Sequence, residues 1–181
     1  MDRLFIVYDN LKPIAGNIVK YIKRRYMGVE IERKFLVDNN QWQQMPKPIG
    51  TYFRQGYILS EPGKTIRVRV TPDEGFITIK GGTTGLSRLE YEYPIPAVDG
   101  EELLDNFAIS ELKKHRYRID VGGKVWEVDE FLGDNKGLLV AEIELESEDE
   151  KFILPPWVTT EVSGDARYYN SNLSVMPFSQ W

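Results

Sequence analysis

Hydrophobic and charged residues alternate along most of the chain beyond residue 27, and this alternation predicts β-strands. In the segment GVEIERKFLV, a strand places Glu30, Glu32 and Lys34 on one face and Ile31 and Phe35 on the other. A helix, which turns by about 100° per residue, would place Glu30 and Glu32 on nearly opposite sides. The segment is therefore predicted to be a strand with one charged face and one apolar face.

Similar runs recur along the chain and are separated by turn signals. They are YFRQGYILS, TIRVRV, FITIK, SRLEYEYPI, KHRYRIDV, KVWEVDEF and LLVAEIELE. Together with the first segment they predict about eight mostly antiparallel strands, and eight is a number at which a sheet can close into a barrel around one ligand. Short helices are predicted at DNNQWQQM and within DGEELLDNFAI, where Asp99 is a candidate N-cap and residues 101–107 would cover the sheet. The expected fold class is mainly β with peripheral helices.

The charged faces of these strands carry little besides acids and bases. For any single strand the simplest interpretation is a solvated face, but such faces usually also contain Thr, Ser, Gln and Asn. Closing the sheet with its charges inside would create a charged tunnel, in which acids and bases must neutralise one another or a ligand. A polyanion with divalent cations suits both kinds of side chain, because Arg and Lys bind phosphate oxygens and carboxylates bind the metal. The faces carry Glu30, Glu32, Lys34, Arg67, Arg69, Lys80, Arg88, Glu90, Glu92, Lys114, Arg116, Arg118, Glu127, Asp129, Glu142, Glu144 and Glu146.

Composition narrows the possible chemistry. The chain has no cysteine and one histidine, His115, which excludes disulfides, thiol catalysis and most zinc sites. Any metal must be held mainly by oxygen, as Mg²⁺, Mn²⁺ and Ca²⁺ are. A net charge of -5 argues against duplex nucleic acid as the partner. No apolar run approaches the roughly 20 residues of a membrane span, so we expect a cytoplasmic protein, either a monomer or a homodimer.

Residues 1–27 differ from the rest of the chain. Ile14, Ile18 and Ile22 recur at helical spacing among Lys and Arg residues, which predicts a short basic amphipathic helix. A helix packed on the domain, or a disordered extension, is favoured over a membrane-surface role. Because Met27 is a natural start, the extension can also be an artefact of an upstream start. We expect residues 28–181 to form the working domain.

The ordered motifs resemble those of the CYTH superfamily, also called triphosphate tunnel metalloenzymes, over residues 28–174. The resemblance begins with E-x-E-x-K at Glu30, Glu32 and Lys34, and it ends with EVSGDARYYNSNLS. The other matching motifs are R-x-R at Arg67 and Arg69, I-x-K at Lys80, E-x-E at Glu90 and Glu92, K-x-R-Y at residues 114–117, W-E-V-D-x-F at residues 126–131, and a late E-x-E at Glu142 and Glu144. The resemblance implies a closed eight-stranded antiparallel barrel with a triphosphate-binding tunnel, and it favours the short bacterial members that hydrolyse inorganic tripolyphosphate.

The resemblance also implies roles for individual residues. The catalytic set would be Glu30, Glu32, Lys34, Lys114 and Arg116. Phosphate oxygens would be bound by Lys34, Arg67, Arg69, Lys80, Lys114 and Arg116. Mg²⁺ or Mn²⁺ would be held by Glu30, Glu32, Asp129, Glu142 and Glu144. Glu90, Glu92 and Arg167 are weaker candidates, since the two acids can instead pair with Arg67 and Arg69, and Arg167 can pair with Asp165 beside a short helix.

Several interpretations stay open from the sequence. The same tunnel serves a class IV-type adenylyl cyclase, a thiamine triphosphatase or a non-catalytic polyphosphate- or nucleotide-binding module, although intact acids favour catalysis. Structural salt bridges are at least as plausible as catalytic roles for Arg118, Glu127 and Glu146. Strand parity turns His115 and Tyr117 away from Lys114, which favours packing for both.

Overall fold

The computed structural model describes residues 28–84 and 87–181, and the predicted N-terminal helix lies outside this range. Nine strands are present among the described residues. They are β1 (Gly28–Val37), β2 (Thr51–Glu61), β3 (Lys64–Val70), β4 (Gly75–Thr84), β5 (Ser87–Ile95), β6 (Ser110–Val121), β7 (Lys124–Phe131), β8 (Leu139–Glu144) and β9 (Val158–Glu161).

Eight of these strands form a closed antiparallel barrel. The hydrogen-bonded order is β5-β4-β3-β2-β6-β7-β8-β1, and β1 also pairs with β5, which completes the ring. At the closing seam Glu30 is the register partner of Arg88, while further along β1 Lys34 is the partner of Glu142 on β8. The predicted eight-stranded barrel is confirmed. The short β9, which the alternation pattern did not predict, pairs with the end of β1 at Phe35 and Val37.

Three α-helices lie around the barrel in the described part of the chain: α1 (Asn39–Gln44), α2 (Ala97–Phe107) and α3 (Asn170–Leu173). The prediction that Asp99 caps α2 was wrong. Helix α2 begins two residues earlier, after Pro96, and no side chain caps it. Asp99 instead lies in the first turn, where its negative charge suits the amide end of the helix dipole.

The apolar faces of the strands lie outside the barrel, and connecting segments cover two large parts of them. Phe35, Trp126 and Ile143 pack with Trp42 of α1 and with Trp157, which lies just before β9. On the other side, α2 places Leu104 against Val68 and Val70 of β3. Burying these side chains removes a large apolar area from water, and each fully buried aliphatic side chain contributes roughly 1.5–3 kcal/mol.

One flank of the barrel interior is apolar. Leu112, Phe131 and Val140 share the strand parity of the inward charges, and they pack together with Leu173 of α3. Leu173 has no exposed surface. We call Leu112, Phe131, Leu138, Val140 and Leu173 the interior apolar cluster. It leaves the remaining interior to the charged side chains.

Candidate active site

The charged faces of the strands point into the barrel. Lys34, Arg67, Lys114 and Asp129 are all buried, although a solvated face would leave such residues exposed. Asp129 has no exposed surface at all. Burial of this many charges requires partners, and the structure supplies them as a continuous set of acid–base pairs along the interior.

The first group of pairs joins β3, β4 and β5. Glu92 receives hydrogen bonds from Arg69 at 2.8 Å, from Arg67 at 3.3 Å and from the Thr78 hydroxyl at 2.9 Å. The Nε atoms of Arg67 and Arg69 are buried and have no hydrogen-bond partner among the described residues. These two guanidinium groups therefore keep donors that an anion in the tunnel can use.

The second group lies at the seam where β1 meets β5. Arg88 Nε donates to Glu30 at 2.7 Å, and Arg88 Nη2 donates to Glu32 at 2.9 Å. Lys80 lies 2.5 Å from Glu90 and 3.6 Å from Glu30. Burial, and next the charge of Arg67, lowers the pKa of Lys80 below its ordinary value. An approaching anion would stabilise this ammonium group.

The third group lies on β6, β7 and β8. Asp129 is held between Lys114 and Arg116, which donates to it from both Nε and Nη2 at 2.6 Å. Glu142 accepts from Arg116 at 2.7 Å and pairs with Lys34. Burial and the neighbouring Arg116 charge lower the pKa of Lys114 to about 8. Although burial alone would raise the pKa of Glu142, the charges of Lys34 and Arg116 hold it well below its usual range.

Glu144 is an exception among the inward acids. It makes no ion pair with any described residue, and its register partner across the β1–β8 ladder is another acid, Glu32. Partial burial, and then the charges of Glu30 and Glu127, raises the pKa of Glu144 to about 7. A divalent cation bound here would reduce the repulsion between these neighbouring carboxylates. Carboxylate oxygens are also the ligands that Mg²⁺ and Mn²⁺ prefer.

The predicted metal ligands do not yet form a metal-binding group. Within residues 28–84 and 87–181, no three Asp, Glu or His side chains converge as a metal site would require. Glu30, Glu32 and Glu142 are instead engaged by Arg88, Lys34 and Arg116, and Asp129 is enclosed by two bases. Carboxylate oxygens are suitable ligands for a divalent ion. These carboxylates would become free to bind one if another anion took their place beside the bases.

A cavity of about 160 Å³ opens beside this network. Lys34, Arg67, Lys80 and Arg88 line it, together with Tyr57. The Tyr57 hydroxyl accepts a hydrogen bond from the Gln55 amide at 3.0 Å. Burial raises the pKa of Tyr57 to about 12, so that the hydroxyl stays protonated and can act as a donor. Further lining comes from the β2–β3 turn, Gly81 and Gly82, and residues 169–171.

The structure separates the remaining candidates. Glu127 lies inside and pairs with Arg116, whereas Arg118 and Arg167 are exposed. Arg167 pairs with Asp165 at 2.6 Å, as the sequence suggested, and does not line the cavity. Asp165 also caps the adjoining 3₁₀ turn. The outward prediction for His115 is confirmed by its ring contact with Tyr52, with the centroids 5.7 Å apart.

Two residues of the site received no individual role from the sequence. Arg88 has the same strand parity as Glu90 and Glu92, and that signal was sufficient to place it inside, but its contacts with Glu30 and Glu32 depend on closure of the ring. Tyr57 offered no comparable signal, because an aromatic residue in an alternating strand is equally common on a packed outer face.

Together, the fold and the site define a class of closed antiparallel barrel whose interior carries paired buried bases and carboxylates. The CYTH domain family matches residues 28–172, and the chain belongs to this family. An inorganic triphosphatase from Acetivibrio thermocellus is 47% identical over 156 residues, which are 86% of this chain and 99% of that protein. One from Nitrosomonas europaea is 37% identical over 153 residues, covering 81% and 97%.

The comparison of folds agrees. A crystal structure of an inorganic triphosphatase matches with a TM-score of 0.57 and 34% identity, over 81% of this chain and 97% of that one. The predicted family and fold are thus confirmed. Membership implies dependence on a divalent metal ion. None of the described helices is long and apolar enough to cross a membrane.

Proposed function

We propose that this chain is a divalent-metal-dependent triphosphatase that hydrolyses inorganic tripolyphosphate to pyrophosphate and orthophosphate. The observation that carries the proposal is a cavity of about 160 Å³ that Lys34, Arg67, Lys80 and Arg88 line together with Glu32, beside the network of buried acid–base pairs. The two relatives described as inorganic triphosphatases support this choice of substrate.

The bases would bind the substrate. Arg67 and Arg69 have unused Nε donors, and Lys80 and Lys114 have ammonium groups whose pKa values are lowered, so an incoming polyanion improves the environment of all four. Lys34, Arg88 and Arg116 would exchange a carboxylate partner for a phosphate oxygen. Fixing the terminal phosphorus in this way orients it for in-line attack and disperses the charge that develops in the transition state.

The acids would hold the metal. Glu30 and Glu32 are among the carboxylates whose charges raise the pKa of Glu144, so these three acids would gain most from a bound cation. Glu142 and Asp129 complete the proposed set. Asp129 also orients Lys114 and Arg116. Mg²⁺ or Mn²⁺, when bound, would neutralise phosphate oxygens and acidify and orient a water molecule. The water oxygen bonds to the terminal phosphorus and loses a proton to solvent, while the bond from that phosphorus to the bridging oxygen breaks and pyrophosphate leaves with its electron pair.

We assign this activity to residues 28–181. The family match ends at residue 172, but the following residues pack on the barrel. Asn135 donates to the Leu173 carbonyl at 3.1 Å and accepts from the Phe178 amide at 2.8 Å. These hydrogen bonds of the buried Asn135 side chain support including the last nine residues in the domain.

The test is phosphate release by purified protein from tripolyphosphate, ATP, thiamine triphosphate and pyrophosphate, each with and without Mg²⁺ or Mn²⁺. We expect metal-dependent release from tripolyphosphate, and a loss of at least about 100-fold in Glu32→Gln, as for removal of a group that stabilises transition-state charge. Glu74→Gln, at an exposed acid in the β3–β4 turn, is the matched control and should retain full activity.

The other outcomes separate the alternatives. Release of pyrophosphate from ATP without orthophosphate would indicate a cyclase, and preference for thiamine triphosphate would indicate a thiamine triphosphatase. Tight binding of tripolyphosphate without turnover of any substrate would overturn the enzymatic proposal in favour of a binding module.

A further inference from the structure

A group of apolar side chains on the outside of the barrel has no cover among the described residues. Ile66 of β3, Ile79 of β4 and Tyr91 of β5 form a row of register partners, and Leu89 and Tyr93 flank Tyr91 on the same face. We call these five residues the outer apolar patch. Ile79, Leu89 and Tyr93 are 44%, 52% and 47% exposed, respectively. Contiguous apolar surface of this kind usually marks an interaction site.

The neighbouring helix does not cover this patch. Helix α2 packs on β2, β3 and β4, where Ile77 and Ile95 belong to its contact cluster. The same strands therefore have one covered portion and one uncovered portion. A second element lying beside α2 would complete the layer of helices that usually shields the apolar face of a sheet.

The chain itself supplies an element next to the patch. The described part of β1 begins at Gly28, whose register partner is Glu90, between the patch residues Leu89 and Tyr91. Residues 1–27 therefore connect to the barrel at the edge of the patch. The three residues from Arg25 to Gly28 span at most about 10 Å when extended, so a helix that ends at Arg25 would end beside the patch.

The sequence of this segment fits the patch in length and polarity. Ile14, Ile18 and Ile22 would lie along one side of a helix that starts near Pro13. The stripe from Ile14 to Ile22 would be about 12 Å long, comparable with the distance of about 10 Å between the outer two of three neighbouring strands. The isoleucines would form a stripe able to pack on the patch.

The charges are also complementary. Residues 12–26 contain Lys12, Lys20, Lys23, Arg24 and Arg25 and no acid. Helix α2 contains four acids and no base. Two of these acids, Glu101 and Asp105, are paired with Arg54, whereas Asp99 and Glu102 are exposed and make no ion pair within the described part of the chain.

We propose that residues 13–25 dock as an amphipathic helix on the outer apolar patch of their own chain, with their basic side chains beside the acids of α2. The patch is outside the barrel, so this docking is independent of the proposed catalytic function. It stabilises the fold, and the tunnel chemistry does not require it.

A disulfide experiment tests the docking directly, because the chain has no cysteine of its own. Ile18→Cys combined with Leu89→Cys should form an intramolecular disulfide under mild oxidation. The control combines Ile18→Cys with Lys113→Cys, an exposed outward position on β6, which lies opposite β5 in the ring. Docking predicts cross-linking about tenfold faster for the first pair, because docking raises its effective concentration. Equal rates would overturn the proposal.

A truncation gives an independent measurement. A chain starting at Met27 should unfold at a lower urea concentration than the full chain while keeping the same phosphate-release rate. Ile18→Asp in the full chain should lower the midpoint as the truncation does, and Asn17→Asp, which adds the same charge beside the stripe, should lower it less. An unchanged midpoint in the truncated chain would contradict docking.

Two competing occupants of the patch have distinct signatures. Cross-links that join two chains, together with a dimer mass in sedimentation, would assign the patch to a second copy and overturn the proposal. Sedimentation of the full chain, but not of the truncated chain, with anionic lipid vesicles, combined with no intramolecular cross-link, would assign the segment to a membrane surface and also overturn it.

Discussion

At the scale of single residues, the interior is organised by shared partners. Asp129 neutralises both Lys114 and Arg116, and Arg116 also reaches Glu127 and Glu142. Because each charge is bound by more than one opposite charge, loss of one side chain leaves others buried without compensation. The most buried member of such a group should therefore matter most for stability, and here that member is Asp129.

Asp129→Asn should lower the free energy of unfolding by about 3–5 kcal/mol, because it leaves Lys114 buried beside Arg116 with no carboxylate between them. Urea unfolding measures the change. Glu127→Gln on the same strand is the control, since the Glu127 side chain is 25% exposed, and it should cost about 1 kcal/mol or less. Equal losses in the two variants would contradict the argument from burial.

At the scale of secondary structure elements, strand parity was sufficient to predict which side chains point inward. The segment GVEIERKFLV places Glu30, Glu32 and Lys34 in the tunnel, and the other charged strands follow the same rule. Parity does not identify neighbours. Glu30 meets Arg88 only because β1 pairs with β5, a contact across 58 residues of sequence. Partner choice therefore depends on ring closure, which no local pattern encodes.

The same limit explains the elements that were missed. Strand β9 is four residues long, and it is defined by its pairing with the end of β1 rather than by alternation of its own. The Lys34 carbonyl accepts from Val162, and the Lys34 amide donates to Ser163. The segment after β9 thus fixes the backbone of a tunnel residue, and nothing in its own residue pattern indicates this role.

The interior apolar cluster leads to a prediction for α3. Leu173→Ala should lower the free energy of unfolding by about 2–4 kcal/mol, because it removes a fully buried side chain and leaves a cavity beside Leu112 and Phe131. Urea denaturation followed by circular dichroism measures it. Val175→Ala, two residues further and 69% exposed, should change stability by less than about 0.5 kcal/mol. A Leu173 variant as stable as the Val175 variant would show that α3 does not seal this flank.

At the scale of the whole molecule, the closed ring couples distant parts of the chain. Each barrel strand has two hydrogen-bonded neighbours, and the tryptophans Trp42, Trp126 and Trp157 meet in one cluster outside the ring. Segments separated by more than a hundred residues therefore share both a sheet and a core. Such a molecule has no separable half that could unfold first.

We therefore expect tryptophan fluorescence and far-ultraviolet circular dichroism to report a single coincident urea transition, as in two-state unfolding. The exposed Trp181 adds a local signal, so the comparison is best made in a Trp181→Phe background. Two midpoints that differ beyond error would indicate that the tryptophan cluster and the barrel unfold separately, contrary to this expectation.

The pairing of acids and bases inside the barrel also affects how a polyanion reaches it. The bases inside the barrel are already paired with acids, and the chain has a net charge of -5. The protein therefore exerts little long-range attraction on a negatively charged ligand. Capture then depends on collisions at the mouth and on partner exchange over a few ångströms, and the encounter rate should rise with ionic strength, because salt screens the repulsion between the negatively charged protein and the polyanion. The barrel therefore binds anions slowly but selectively. An anion that cannot replace several carboxylates at once makes no net favourable interaction inside the barrel.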